Sequence, residues 1–271
     1  MTLTTAEASL INEVVRDQIV EYMMAVDVSR VIFPVVAKNE GDSVKIVKEG
    51  AWEDAQEVAE GAEVPIYQPD YKEWTETYKK IGYRTQITHE MVTDARWDLV
   101  ARAARKAGQM LGLKMSIDVL REAWGTAGIQ KFTVSGRWGN ANADEIGDLA
   151  TCMGKVVSKN YNPDLIVVHP ADWAHLATLD EFVSREKGGV GLAGFYRGDI
   201  LGLRVITTTQ MSENNFLMLD TANAGELYLR EDLRQADYEA ITRDVTGQVF
   251  FLRYREATIS PSAICFGTGY A

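Results

Sequence analysis

Between Leu99 and Trp124 the apolar residues Leu99, Val100, Ala103, Ala104, Ala107, Met110, Leu111, Ile117, Leu120 and Trp124 recur at intervals of three and four. That is the spacing of one face of an α-helix. The surrounding stretch, ITHEMVTDARWDLVARAARKAGQMLGLKMSIDVLREAW (residues 87–124), has no proline and is rich in Ala, Leu, Met, Arg and Lys, which favour helix. The pattern predicts one long helix from about Arg96 to Trp124, capped by Asp94 or Asp98 after a turn over Thr88 to Thr93, and stopped by Gly125. At ~1.5 Å per residue it would run roughly 40 Å, a spine for the molecule. Gly108 and Gly112 lie on one face of it, each at a cost of about 1 kcal/mol relative to alanine. Either another backbone passes close to that face or the two are tolerated defects. The opposite face carries Arg96, Arg102, Arg105, Lys106, Lys114 and Arg121, a basic stripe.

Upstream, residues Ala6 to Val26 show helical spacing, with Leu10, Val14, Ile19, Val20 and Met23 or Met24 on one side, Glu7, Glu13, Arg16 and Asp17 on the other, and Thr5 as a candidate cap. This helix feeds the extended run VIFPVV and reads as an arm that lies against its own core or a neighbour. SVKIVKEG and YKEWTETYKKIGYRTQI follow, the second alternating β-branched and aromatic residues in the manner of a two-sided strand. Together they predict a long β-hairpin. Its tip, from Glu49 to Tyr71, contains Glu49, Glu53, Asp54, Glu57, Glu60, Glu63 and Asp70 and no Lys or Arg. A loop of more than about 15 residues without structure of its own is usually functional or disordered, whereas a run of one sign alone is more often a solvated face.

Beyond the spine the chain changes character. NANADEIGDLATCMGKVVSKN (residues 140–160) predicts a helix begun near Asn142 or Asp144 and broken by Pro163. LIVV is a short buried strand and PADWAHLATL a helix with Pro170 at its first position. Asp180 to Gly202 reads as a glycine-bearing mobile loop. Four strand candidates close the chain: LRVITTT, NFLMLD, ELYLR and the long GQVFFLRYREATIS. The interleaving gives an α+β fold in which the last strand returns toward the spine.

With 271 residues and 46% hydrophobic content, the chain can bury a substantial core as one large domain or two small ones. The net charge of −11 provides no overall field for nucleic-acid phosphates. Cys152 and Cys265 match no metal or redox spacing, so reduced thiols in an intracellular setting are expected. The first residues lack the basic leader and apolar core of a secretory signal. The longest apolar run, Val31 to Ala37, falls far short of the ~20 residues a membrane span needs. A soluble protein without membrane partners is expected.

The search for chemistry yields little. There is no GxSxG, no phosphate-binding GxxxxGK, no HExxH and no CxxC. His169, Asp172 and His175 are spaced by three, but on a helix those positions fan over about 120°, and His169 precedes Pro170. Asp172 is better explained by the favourable first turn of a helix. Arg197-Gly198-Asp199 is a short match expected by chance, and adjacent His89 and Glu90 say nothing about pairing. No catalytic residue, metal site or cofactor is assigned.

The order of the parts is more telling than any motif. A helical arm, an acidic-tipped hairpin, a spine helix, an α+β insert and a long closing strand resemble the major capsid proteins of tailed bacteriophages, the Hong Kong 97 fold, also used by encapsulin compartments and some archaeal viruses. The resemblance is carried by YKKIGYRTQITHEMVTDA, LIVVHPADWAHLATL, GDILGLRVITTT, NFLMLDTANAGELYLRED and VFFLRYREATISPSAICFGTG, and it covers nearly the whole chain. It implies an N-terminal arm over 1–38, an extended loop over 39–86, a peripheral domain over 87–128 and 246–263, an axial domain over 129–245 and a C-terminal tail over 264–271.

The same resemblance implies a structural role. The chain would self-assemble through pentamers and hexamers into an icosahedral shell around double-stranded DNA, in the host cytoplasm, as part of the virion. Its extended loop would lie over a neighbouring subunit, and the acidic tip (Glu49, Glu53, Asp54, Glu57, Glu60, Glu63) would meet basic residues there, the spine's Arg96, Arg102, Arg105, Lys106 and Lys114 being the first candidates. A separate scaffold protein, a portal and a decoration protein are further expected partners. Covalent crosslinks between subunits are not expected, because no lysine lies within the tip. An encapsulin-type compartment is the alternative of the same fold, and a small soluble α+β enzyme using carboxylates such as Asp172 or Glu181 the alternative of another class.

Overall fold

The computed structural model describes residues 17, 19–38, 41–49, 57–58, 60–61, 63–64, 66, 71–88, 98–140, 143–183, 196–240 and 245–269. In chain order the elements are helix α1 (19–24), α2 (Ser29–Ile32), β1 (Val35–Ala37), β2 (Ser43–Glu49), β3 (Tyr71–Thr77), β4 (Lys79–Thr88), the spine helix α3 (Asp98–Gly125) and β5 (Gln130–Thr133). Then come α4 (Glu145–Val157), β6 (Leu165–Val168), α5 (Pro170–Leu176), β7 (Phe182–Val183), β8 (Tyr196–Ile200), β9 (Leu203–Thr207) and β10 (Phe216–Leu219). The chain closes with β11 (Gly225–Ala240), β12 (Val245–Thr258), a 3-10 turn (Pro261–Ala263) and β13 (Ile264–Thr268).

A four-stranded sheet in the order β1-β11-β12-β4 lies against the spine. Along β12 the residues Phe250, Leu252 and Tyr254 are wholly buried while the intervening Phe251 and Arg253 are not. The period of two puts one set on the helix and the other on the far side. Phe250 packs with Ala107, Leu111 and Leu233, while Leu252 and Tyr254 pack with Met115, Val119 and Leu120 further along the spine.

The second sheet has seven strands in the order β5-β13-β10-β6-β9-β8-β7. Its inner strands β6 and β10 are buried at every position, because both faces are covered. One face (Leu165, Val167, Leu217, Leu219) joins the spine's core, and the other (Ile166, Val168, Phe216, Met218) receives Leu149, Cys152 and Val156 of α4. Asp144 caps α4, its carboxylate accepting the Gly147 N–H at 2.8 Å. This matches the expected start.

Several expectations change. The run YKEWTETYKKIGYRTQI is not one strand of a hairpin. β3 pairs antiparallel with β2 as a two-stranded sheet, and after the buried Tyr78 the chain crosses into the long sheet, where β4 pairs with β12. The loop limit expected at residue 86 therefore falls inside β4. The stretch expected as a tail, 264–271, is mostly strand: β13 sits between β5 and β10, with Ile264 and Cys265 fully buried. ELYLR is the beginning of the sixteen-residue β11, which pairs with β12 rather than joining the other strands of the insert. The ends of the expected loop 180–202 form the antiparallel pair β7–β8; residues 184–195 lie outside those described, as do the expected arm residues 1–16 and the turn and cap residues before Asp98.

Candidate subunit-contact surfaces

The two spine glycines have a reason. A Cβ on Gly108 would stand 2.6 Å from the Ile19 carbonyl oxygen, and one on Gly112 2.6 Å from that of Met23. Helix α1 crosses the spine backbone to backbone, which only glycine permits. The arm is then tied down by a polar cluster: the Val28 N–H donates to Ser116 Oγ at 3.0 Å, and the Asp27 carboxylate accepts the Ser29 N–H at 2.9 Å and hydrogen bonds from the Ser29 and Ser116 hydroxyls. Burial pushes the Asp27 carboxyl above its ordinary range, with these hydrogen bonds and Arg30 opposing the shift.

On the closing strand, Tyr254 donates its phenolic hydrogen to Asp118 at 2.8 Å, and Lys114 holds the other oxygen of Asp118 at 2.7 Å. Desolvation, then this carboxylate, raises the Tyr254 hydroxyl far above its usual range. Lys79 and Glu256 form a second pair beneath the sheet.

The hairpin β2–β3 stands on the opposite side of the four-stranded sheet. Its Val44, Ile46 and Trp74 pack with Tyr78, Tyr228 and Ala257, and Val36 of β1 joins them. Beyond that anchor apolar side chains are exposed: Val47 at 45%, Tyr71 at 54%, Val64 at 67% and Ile66 at 89%. Of the expected tip acids, Glu57, Glu60 and Glu63 are exposed, while Glu53, Asp54 and the side chain of Glu49 lie outside the described residues.

Within the basic stripe Arg102, Arg105, Lys106 and Lys114 are exposed, and Arg96 lies outside the described residues. Lys114 is held by Asp118, and the Arg105 guanidinium stacks over Tyr22 at 5.2 Å. Lys114 and Arg105 thus already have partners in their own subunit.

The candidates for chemistry are absorbed by local structure. His169 caps α5 by accepting the Ala171 N–H at 3.2 Å. Asp172 accepts the Asn214 N–H at 2.7 Å, and burial raises its carboxyl. The His175 ring lies against Gly139, where a Cβ would come within 2.3 Å of it. Among the described residues no group of three or more His, Cys, Asp and Glu is placed to hold a metal. Arg197 and Asp199 belong to β8, where the Asp199 carboxylate accepts the Tyr196 hydroxyl at 2.6 Å. Glu181 is exposed, beside the β7–β8 pair.

The cysteines overturn the expected reduced thiols. Cys152 of α4 and Cys265 of β13 are joined in a disulfide across a sequence separation of 113. Spacing along the chain concealed them because the helix is laid on the sheet by the fold, which brings their Cα atoms to 6.0 Å.

Known structures share this architecture. A virus-like particle from Pyrococcus furiosus superimposes with a TM-score of 0.66 at 17% identity, over 94% of this chain and 98% of that one. A Mycobacterium phage Bobi chain gives 0.69 at 15%, covering 91% of each, and the capsid of a native GTA particle 0.66 at 12%, over 92% of this chain and 91% of the other. These likenesses make the fold the α+β Hong Kong 97-type capsid fold. No curated protein matches the sequence. Residues 72–260 match the phage capsid protein family, and the chain belongs to that family. It is a structural subunit of a virion's shell, not an enzyme.

Proposed function

We propose that the chain is the major capsid protein of a tailed virus, assembling in the host cytoplasm through pentamers and hexamers into an icosahedral shell around double-stranded DNA. The observation that carries this reading is the outlying hairpin. A two-stranded sheet is marginal by itself, and this one leaves Val47, Val64, Ile66 and Tyr71 exposed, a state that a neighbouring subunit relieves. The arm 1–38, extended loop 39–86, peripheral domain 87–128 with 246–263, and axial domain 129–245 then divide the contacts, with the acidic tip and the basic residues of a neighbour fixing register. The net charge of −11 suits a shell that encloses DNA driven in by a motor. A separate scaffold, a portal and a decoration protein complete the proposed partners.

A second reading, an encapsulin-type cellular compartment, draws on the likeness to the Pyrococcus furiosus virus-like particle, 98% of whose chain is covered. Size-exclusion chromatography and negative-stain electron microscopy of the purified protein test both. Pentamers, hexamers or round shells tens of nanometres across are expected, and nuclease-protected DNA in particles from infected cells separates virus from compartment. Copurified cargo enzyme without DNA would favour the compartment, and a monomer that refuses assembly even with its scaffold would overturn both.

A further inference from the structure

Where helix α1 ends, the arm, the spine and the seven-stranded sheet leave a pocket of ≈ 180 Å³ between them. Part of its lining is apolar: Ala25, Val26 and Val28 of the arm, Leu113 of the spine and Pro170 of α5. The rest is polar, with Arg197 of β8 and three successive threonines, Thr207 to Thr209, at the end of β9. Ala25, Arg197 and Thr209 are exposed, so the pocket opens to solvent.

Arg197 is placed there by an irregularity in strand pairing. Tyr196 pairs with Ile206 and Gly198 with Val205, which makes Arg197 the extra residue of a β-bulge. A bulge re-aims a side chain. Gly198 is required beside it, because its φ is +149° and a Cβ would stand 2.6 Å from the Val183 carbonyl oxygen.

Neutral groups then hold the arginine. Its Nε donates to Thr207 Oγ1 at 3.1 Å, and its guanidinium lies 5.3 Å from the centroid of the Trp173 ring, within reach of cation–π attraction. Nearby arginines are answered by acids, Arg137 by Glu213 and Arg204 by Asp164. Among the described residues no carboxylate forms a salt bridge with Arg197, and its terminal fork of N–H donors remains. The threonines add to it. The Thr208 hydroxyl accepts the Gln210 N–H at 3.2 Å and the Thr209 hydroxyl the Gln210 side-chain amide at 3.5 Å, so each keeps its own hydrogen to donate.

Size, charge and lining together define a ligand. The ≈ 180 Å³ falls below the about 300–1,000 Å³ of sites for drug-sized molecules, which leaves room for a small group and not for a nucleotide. Among the described residues that line the pocket only Arg197 is charged. A dianion would therefore bring in one charge without a partner, at a cost. A guanidinium fork matches the two oxygens of a carboxylate, and the apolar lining suits a hydrocarbon stem.

The geometry points to a subsite for a monocarboxylate on a short aliphatic stem, the acid on Arg197 and the threonine hydroxyls, the stem against Val26, Val28 and Leu113. Such a group is supplied by a free short-chain acid or by a glutamate side chain of a partner polypeptide. Either occupant touches arm, spine and sheet at once, next to the point where the Val28 N–H already meets Ser116. The site lies within one subunit and does not depend on the shell reading.

Titration of the full-length chain tests it, with pentanoate and the blocked tripeptide acetyl-valyl-glutamyl-valine amide as probes and 1-pentanol and inorganic phosphate as controls. Binding is read by calorimetry and by the rise in melting temperature, which follows ligand concentration when the folded state alone binds. Saturable binding of a carboxylate probe is expected, with both controls weaker by at least about tenfold, since each lacks the acid or the stem. Tighter binding of the tripeptide assigns the group to a polypeptide, and tighter binding of pentanoate to a free acid. Arg197→Gln is expected to weaken the bound probe at least about tenfold, because hydrogen bonds to a charged group are lost. Ala25→Phe, which fills the pocket without touching Arg197, is expected to do the same and keeps the test open if Arg197→Gln does not fold. Absence of binding by both carboxylates, phosphate bound as tightly as they are, or unchanged affinity in the folded variants overturns the assignment.

Discussion

The carbonyl oxygen of Ile19 occupies the space in front of Gly108, 2.6 Å from where a Cβ would stand. Met23 repeats the contact one turn later at Gly112, also at 2.6 Å. The arm is therefore keyed to the spine by two missing side chains. Two effects oppose each other when they are filled. Alanine gains about 1 kcal/mol of helix propensity, and overpacking costs about 1–3 kcal/mol. Overpacking wins here because the obstructing atoms are backbone and cannot rotate away. Gly108→Ala and Gly112→Ala are each expected to lower the melting temperature and to expose the arm to limited proteolysis. Gly154→Ala is the control: it lies in α4 with nothing within 4 Å of its Cβ position, so alanine there is expected to raise stability by about 0.5–1 kcal/mol. Equal gains at all three sites would show that the arm does not lie on the spine.

Tyr254 is the second fixed point, joining the closing strand to the spine through Asp118. Tyr254→Phe keeps the ring in the core and removes only the hydroxyl. Asp118 then retains Lys114 but loses a buried donor, a loss of about 1–3 kcal/mol for a hydrogen bond to a charged group. Chemical denaturation should show that loss, with the denaturant slope unchanged. Asp118→Asn added to the Tyr254→Phe variant should cost much less than it does in the wild type, since the two groups act as a unit. Simple additivity of the two losses would argue that they are not coupled.

The spine, α4 and α5 were legible because their signals are local: apolar spacing, the Asp144 cap, Pro170 at a first turn. The hairpin's true extent was not. Alternation runs unbroken through Tyr78 although the chain changes sheets there, and nothing local says which strand will pair with Lys79 to Thr88. β11 was only half visible, since REDLRQADYEA is too polar to read as a strand until β12 supplies its partner. β13 was hidden because its five residues, ICFGT, include a glycine and lie among the small residues at the chain's end. The far face of the long sheet has the same character. Lys80, Gly82 and Arg84 alternate visibly in the sequence, but Phe251 and Arg234 join them only through register. Pairing is a property of the fold, and register decides which face a side chain occupies.

Asp27 makes a pH prediction whose sign is fixed by burial. Its folded-state carboxyl is raised above the ordinary 3.8, so the folded state favours the protonated form. Its contribution to stability is complete below the unfolded value and is lost as pH rises through the folded one. The charged neighbour that would resist this is Arg30, which Asp232 shares at 3.3 Å. Asp27→Asn removes the titration. As the pH rises above about 4, the ordinary carboxylate range, the wild type is expected to lose stability relative to the Asp27→Asn variant, measured as the difference between their denaturation free energies. A difference that grows in the opposite direction would mean that the hydrogen bonds from Ser29 and Ser116 outweigh burial.

The disulfide raises the last question, when and how the final strand is secured. Cys265 lies on β13, and its partner Cys152 on α4, so the bond ties the chain's end to a helix laid across the same sheet. Closing a loop across a separation of 113 removes unfolded-state freedom, and loops of that size correspond to about 2–5 kcal/mol. Both cysteines are fully buried, so reductant added to the folded protein should act slowly, through opening of the sheet. The double variant Cys152→Ala/Cys265→Ala is expected to fold, because β13 keeps its pairing with β5 and β10, but to unfold at lower denaturant by that amount. Protein purified with its thiols blocked before lysis distinguishes the order of events. Reduced cysteines in newly made subunits and a bonded pair in released particles would place the bond after assembly in a reducing cytoplasm. A bonded pair in freshly made subunits would place it before. Unchanged stability in the double variant would mean that strand pairing alone holds the chain's end.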